Sequence, residues 1–205
     1  MKSTYFFAIV LLAGVIAFVL YSLEGSQSPE DYASEIGRER SEKDLFMKSE
    51  KDSPFMGSKE GFRGLRYFSP DLKYKITAKL VPIEKKKVIV LPTSDGKEKK
   101  YLEHAFAIFE LDGILNRLLV LEITDAGHYR GTLFLAFADE TSARESYGAG
   151  RYLELKKMHG ATSIVLDFNK AYNPYCAYSG NFSCPFPPKE NVLKVAIRAG
   201  EKSYH

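Results

Sequence analysis

The sequence predicts an all-β domain, a small barrel or sandwich of about eight short strands, preceded by an N-terminal transmembrane helix and an amphipathic helix. Three observations predict it. From residue 73 onward, short apolar or alternating stretches recur between turn-forming residues. Asp112-Gly113 lies between two of these stretches, and that dipeptide favours a hairpin turn with positive φ at both central residues. Before residue 60 the pattern is helical, and proline and glycine interrupt it where the strands begin.

The chain has 205 residues, which allows one domain plus appendages. Hydrophobic residues are 45% and charged residues 27%, so a core of ordinary size is available. A net charge of +3 is too small to imply a nucleic-acid partner. The runs Glu84–Lys87 and Lys97–Lys100 mix signs and read as solvated surface beside hairpins.

Phe6 to Leu20 is uninterrupted apolar sequence between Tyr5 and Tyr21. As a helix, Tyr5 to Tyr21 spans roughly 25 Å, near the lower limit for crossing a bilayer. Lys2 lies on one side, and Glu24, Glu30 and Asp31 on the other. The positive-inside rule then keeps the N-terminus cytoplasmic and exports the rest. The competing reading is a cleaved secretory signal, for which Ser26-Gln27-Ser28 is the one, rather late, candidate site. The expectation is an uncleaved signal anchor over residues 1–24, in the inner membrane. A charged helix and linker then occupy 25–60, and a periplasmic or otherwise extracytoplasmic β-domain occupies 61–205. Cleavage would leave that domain secreted.

Ser28-Pro29-Glu30-Asp31 predicts a helix start: Ser28 caps, Pro29 suits the first turn and Asp31 completes a capping box. The helix is expected to run to about Lys48 with Tyr32, Ile36 and Leu45/Phe46 on its apolar side, as a stalk or laid on the domain. Lys51 to Phe55 ends it, and a glycine-rich connector follows. The expected strands are Lys73–Val81, Lys87–Leu91, Tyr101–Leu111, Ile114–Ile123, Thr132–Phe137, Arg151–Lys157, Ser163–Phe168 and Val192–Ala199.

Two stretches carry the groups that can do chemistry. Asp167 to Asn191 holds both cysteines, four of the nine prolines and six Tyr or Phe residues, yet has neither strand nor helix spacing. In an exported protein Cys176 and Cys184 are expected to form a disulfide, worth roughly 2.5 kcal/mol in the chain-entropy model. The alternative is a redox or metal-binding pair, although redox pairs usually lie two residues apart and a metal needs more ligands. The prolines of Cys184–Pro188 predict an extended strap, and Asn169, Asn173 and Asn191 can bond nearby backbone. An ordered polar-aromatic loop over a barrel end reads either as a staple or as the wall of a pocket.

The second stretch, Phe137 to Leu153, offers Asp139, Glu140, Glu145, Tyr147 and Arg151 for acid–base work or for an ion-pair network. Gly148-Ala149-Gly150 leads into a strand, so it reads as a tight turn and not as a phosphate loop. Nucleophile-elbow, zinc-protease and Walker patterns are absent, and nothing calls for a cofactor or metal.

These stretches, "FADETSARESYGAGRYL" and "LDFNKAYNPYCAYSGNFSCPFPPKEN", resemble the bacterial and archaeal family called domain of unknown function 1684. So do the closing "VAIRAGEK", "FRGLRYFSPDLKYKITAKL" and "YASEIGRERSEKD". Ala143, Ser146 and the "YNPYC" run depart mildly from the family pattern. The resemblance implies an envelope protein and supplies no reaction. It also implies that the two stretches form one signature, with Asp139, Glu145, Tyr147 and Arg151 facing Asp167, Asn169, Tyr172 and Asn173. The expected function is binding of a ligand or envelope protein through the two loops, with the membrane as a further partner. The alternative is an envelope hydrolase using their acidic groups.

Overall fold

The computed structural model describes residues 27–56, 61–124, 131–158 and 160–205. The predicted membrane segment lies outside them, and among the described residues no helix is long and apolar enough to cross a membrane.

The helix α1 spans Pro29–Ser49, as its start signal predicts: the Ser28 hydroxyl accepts the Asp31 N–H at 3.0 Å. It is laid on the domain, burying Tyr32, Ile36 and Met47. Leu45, expected on the buried side, is 65% exposed, while Met47 takes the inward position. The middle of this face is polar. Arg40 donates to Phe68 O at 2.9 Å, and the Lys43 ammonium lies 2.7 Å from Glu201 Oε1. A helix this charged is held by its docking, not by a wide apolar stripe.

Among the described residues seven strands follow: β1 (Lys75–Pro82), β2 (Val88–Pro92), β3 (Glu98–Leu111), β4 (Ile114–Ile123), β5 (Leu133–Phe137), β6 (Arg151–Leu155) and β7 (Ser163–Asp167). They form one antiparallel sheet in the order β6-β5-β4-β3-β1-β7, with β2 also on β3. β1 and β2 lie end to end along β3, against Ala105–Ile108 and Glu98–Leu102 respectively. The β3–β4 turn has φ of 51° at Asp112 and 75° at Gly113, the conformation that dipeptide predicts. The sheet curls into a half-barrel; its edge strands β6 and β7 approach without joining, and α1 covers the seam between them.

Side-chain alternation gives the sheet two covered faces. Leu118, Val120, Leu133, Leu135, Leu153 and Leu166 point into the main core. Leu119, Leu121, Phe134 and Tyr152 point the other way. In β3 the inward parity changes at a bulge between Glu103 and Ala105, so Tyr101 and Ala105 face opposite sides.

The expected eighth strand is a correction. Val192–Ala199 alternates in burial, with Leu193, Val195, Ile197 and Ala199 inward, but forms no strand ladder. Its polar backbone is satisfied by side chains and loops. Leu193 N–H donates to Ala138 O at 2.8 Å and Ile197 N–H to Asp139 Oδ1 at 3.2 Å. Asn191, just before the segment, wedges where β4 and β5 part, accepting Leu119 N–H at 2.6 Å and donating to Leu119 O at 2.9 Å and Ala136 O at 2.8 Å. Its side-chain amide replaces a missing stretch of ladder.

Asn191→Ala should lower stability by about 3 kcal/mol, at about 1 kcal/mol for each of its bonds. Urea unfolding at neutral pH measures this. Ser28→Ala should cost only about 1 kcal/mol.

Candidate functional site: an aromatic cleft on the outer face

The sequence signature divides in two when placed in the fold. One part is structural. Arg151 and Asp139 are wholly buried, 2.8 Å apart. Arg151 opens β6 with the parity of Leu153, so its side chain enters the core at one end of the half-barrel, where its guanidinium lies 5.3 Å from the Phe137 ring centroid. It donates to the carbonyls of Ile197 at 2.8 Å and Glu201 at 3.2 Å, and to that of Ala199. Asp139 accepts Thr141 N–H at 2.7 Å and Ile197 N–H at 3.2 Å. Burial lowers the Arg151 pKa, and Asp139 opposes that shift. The pair ties the C-terminal strap, residues 192–201, across the barrel end.

Other signature residues extend this network. Asp167 Oδ1 accepts the Tyr32 hydroxyl at 2.6 Å, docking α1. Asn169 clasps Asp71, accepting its N–H at 2.9 Å and donating to its carbonyl at 2.8 Å. Asn173 donates its N–H to Glu201 Oε2 at 2.9 Å and its side-chain amide to Lys202 O at 2.8 Å. Glu145 is exposed and pairs with Arg198 at 3.0 Å. The two loops therefore meet largely through the C-terminal strap: Arg151 holds it from one side and Asn173 from the other. Glu201, buried and bonded also to Tyr178, is a central residue that the sequence reading left out. A glutamate inside "AGEK" gives no local sign of burial.

The other part opens a cleft. Residues 172–186 arch over the outer face of the sheet. At one foot, Tyr172 and Tyr152 exchange backbone bonds of 2.8 and 3.0 Å on the β6 edge. At the other, Phe186 N–H reaches Pro92 O at 2.9 Å and Ser94 N–H reaches Cys184 O at 2.9 Å. The Tyr152 hydroxyl ties the arch from below, donating to Pro185 O at 2.6 Å. Between arch and sheet lies a cleft of about 610 Å³. Tyr101, Phe134, Tyr152, Tyr172, Tyr175 and Phe182 line it, with Lys99, Glu154 and Ser183 as polar groups.

Four of the rings form one connected row, and Tyr175 meets Phe182 edge-on at 5.0 Å. Tyr101 stacks on Phe134 at 5.1 Å, Phe134 meets Tyr152 edge-on at 4.9 Å, and Tyr152 meets Tyr172 at 5.9 Å. Lys99 donates to Ser183 O at 3.0 Å, and the Tyr172 hydroxyl lies 3.5 Å from Glu154. Burial raises the pKa of Tyr152 and Tyr172, moving it further above neutrality. Tyr172 was singled out from the sequence; Tyr101, Phe134 and Tyr152 were not. Their signal is that β3, β5 and β6 carry large apolar residues at both parities, which marks a sheet covered on both faces.

The expected disulfide between Cys176 and Cys184 is not formed here; both are free thiols. The backbone bonds at both feet, with the tyrosine tie, order the arch without a covalent staple. Cys184 Sγ accepts the Cys176 N–H at 3.3 Å, and the Tyr147 hydroxyl lies 3.8 Å from Cys176 Sγ. Burial first, then Cys176, pushes the Tyr147 pKa up to about 12. Among the described residues no three metal-ligating side chains cluster. A second open cavity, about 580 Å³ at the start of α1, carries Lys73, Arg198 and Lys202. Two of these cations are already paired, Lys73 with Asp112 and Arg198 with Glu145.

A curled antiparallel half-barrel, closed at one end by a buried Arg–Asp pair and bearing an arched aromatic cleft, defines the class of protein. Its sequence matches the family described as "Protein of unknown function (DUF1684)" over residues 60–202, and the chain belongs to that family. An uncharacterised protein of Haloarcula marismortui, solved in solution by NMR, is 38% identical, with a TM-score of 0.64; the match covers 86% of this chain and 97% of that one. No curated protein matches the chain.

Breaking the buried pair should separate the two parts of the signature. Arg151→Met strands the Asp139 carboxylate and should cost about 3–5 kcal/mol, whereas Glu145→Gln on the exposed pair should cost less than about 1 kcal/mol. Thermal unfolding of the two variants, side by side, measures the contrast.

Proposed function

We propose that this protein is a ligand-binding module of the cell envelope, anchored through residues 1–24 and presenting the aromatic cleft outside the cytoplasm. The cleft itself supports this most. Its six rings offer flat apolar faces in a concavity of about 610 Å³, with Lys99, Glu154 and Ser183 at the edges to fix orientation. That chemistry suits a small amphipathic ligand with one flat apolar face and a polar rim. The extracytoplasmic location rests on the apolar run Phe6–Leu20 and the charges flanking it.

The hydrolase alternative loses its groups. Asp139 and Arg151 are buried against each other, Glu145 is paired with Arg198, Asp167 is bonded to Tyr32, and Asn169 is occupied by backbone. A substrate reaches none of the Asp139–Arg151 pair, and converging acids are what that chemistry needs.

Saturation-transfer NMR with a panel of aromatic fragments and small saccharides should find ligands for the wild-type protein. Phe134→Ala and Tyr172→Ala should weaken a hit by on the order of tenfold or more each, given about 1.5 kcal/mol or more per buried aromatic contact. Hits that persist unchanged in both variants would place binding elsewhere and overturn the reading.

A further inference from the structure

The two cysteines remain unused by the cleft chemistry, and their surroundings differ. Cys176 is partly exposed on a single helical turn, Tyr175–Ala177, of the arch. Cys184 is buried, 8% exposed, and lines the cleft. The Cys176 N–H points at the Cys184 sulfur at 3.3 Å, and the Tyr147 hydroxyl reaches the Cys176 sulfur at 3.8 Å from the other stretch of the signature. Ser94 on the β2–β3 turn holds the Cys184 backbone at 3.1 Å. Two thiols are thus set side by side, one partly exposed and one buried, with the Tyr147 hydroxyl beside the more exposed sulfur and a backbone N–H on the buried one.

We propose that Cys176 and Cys184 form a redox-active dithiol that undergoes exchange with small-molecule disulfides, Cys176 attacking and Cys184 resolving. The Cys176 thiolate attacks one sulfur of the small disulfide. Its S–S bond breaks, one thiolate leaves and takes a proton from water, and a mixed disulfide forms on Cys176. Cys184 then gives up its proton to solvent and attacks the Cys176 sulfur, expelling the second thiol. The protein dithiol is oxidised by two electrons, and one disulfide is reduced to two thiols.

The surroundings match these roles. The hydrogen bond from Cys184 is the leading cause that lowers the Cys176 pKa, to about 6, with Ser94 and Tyr147 adding to it against burial. The same bond, with burial second, raises the Cys184 pKa, so the resolving thiol keeps its proton while Cys176 is charged. Mixed-disulfide formation consumes that charge. The leading cause holding the Cys184 proton then disappears, and the second step follows the first. The inference is independent of what occupies the cleft.

The full-length reduced protein is incubated with oxidised glutathione near pH 7 and its intact mass followed. The expected product has lost two hydrogens and carries no adduct. Cys184→Ser should stop at one glutathione, mapped to Cys176, and Cys176→Ser should react on the order of tenfold or more slowly. In the wild type, iodoacetamide should label Cys176 first, with a rate that rises through a midpoint near pH 6. A native protein that stays unreacted while its urea-unfolded form reacts would overturn the proposal. So would stable glutathione on both cysteines, or an alkylation midpoint at the ordinary thiol pH; these readings need no variant to fold.

Discussion

A buried cation holds this structure together. Arg151 sits in the core of a half-barrel, where an unpaired charge would be prohibitive. Asp139 neutralises it at 2.8 Å, and three carbonyls of the C-terminal strap accept from its two terminal nitrogens. The strap has apolar alternation but no neighbouring strand to pair with. Its carbonyls need donors, and the guanidinium needs acceptors; each requirement satisfies the other. With the strap in place, Glu201 reaches Asn173, Tyr178 and Lys43, and so joins the arch and α1 to the barrel end. Gly200 permits this closeness: its φ is +74° and a Cβ there would strike the Ala171 carbonyl.

The same logic of side chains standing in for ladder runs through the fold. Asn191 fills the split between β4 and β5, and Asn169 clasps the turn at Asp71. Such groups are specific where apolar packing is not, because a carboxamide satisfies a donor and an acceptor only in one placement. They fix one arrangement of the loops around a sheet that does not close on itself.

That open architecture leaves the outer face of the sheet to be covered by the arch. The arch is proline-rich and irregular, so it offers little ladder of its own and leans on aromatic contacts and a few tyrosine and backbone bonds. Covering a twisted face with an irregular segment leaves a gap, and here the gap is lined by rings. The cleft and the thiol pair both belong to this arch, while the buried polar network belongs to the opposite end of the same signature.

Much of this was legible in the sequence. Ser28-Pro29 set the start of α1, Asp112-Gly113 set the β3–β4 turn, and the alternation placed seven strands, because these depend on contacts between near neighbours. The sequence also named Asp139, Arg151, Asp167 and the asparagines. It did not say that they are spent on structure, since burial and partners such as Ile197, Ala199 and Glu201 are set by a chain reversal dozens of residues away. The last strand failed for the same reason: alternation predicts a buried face, but a strand needs a neighbour, and the topology supplied side chains instead. Tertiary structure alone decided that Tyr101, Phe134 and Tyr152 share a cleft, because three strands and a bulge must be in register before their outward parities coincide.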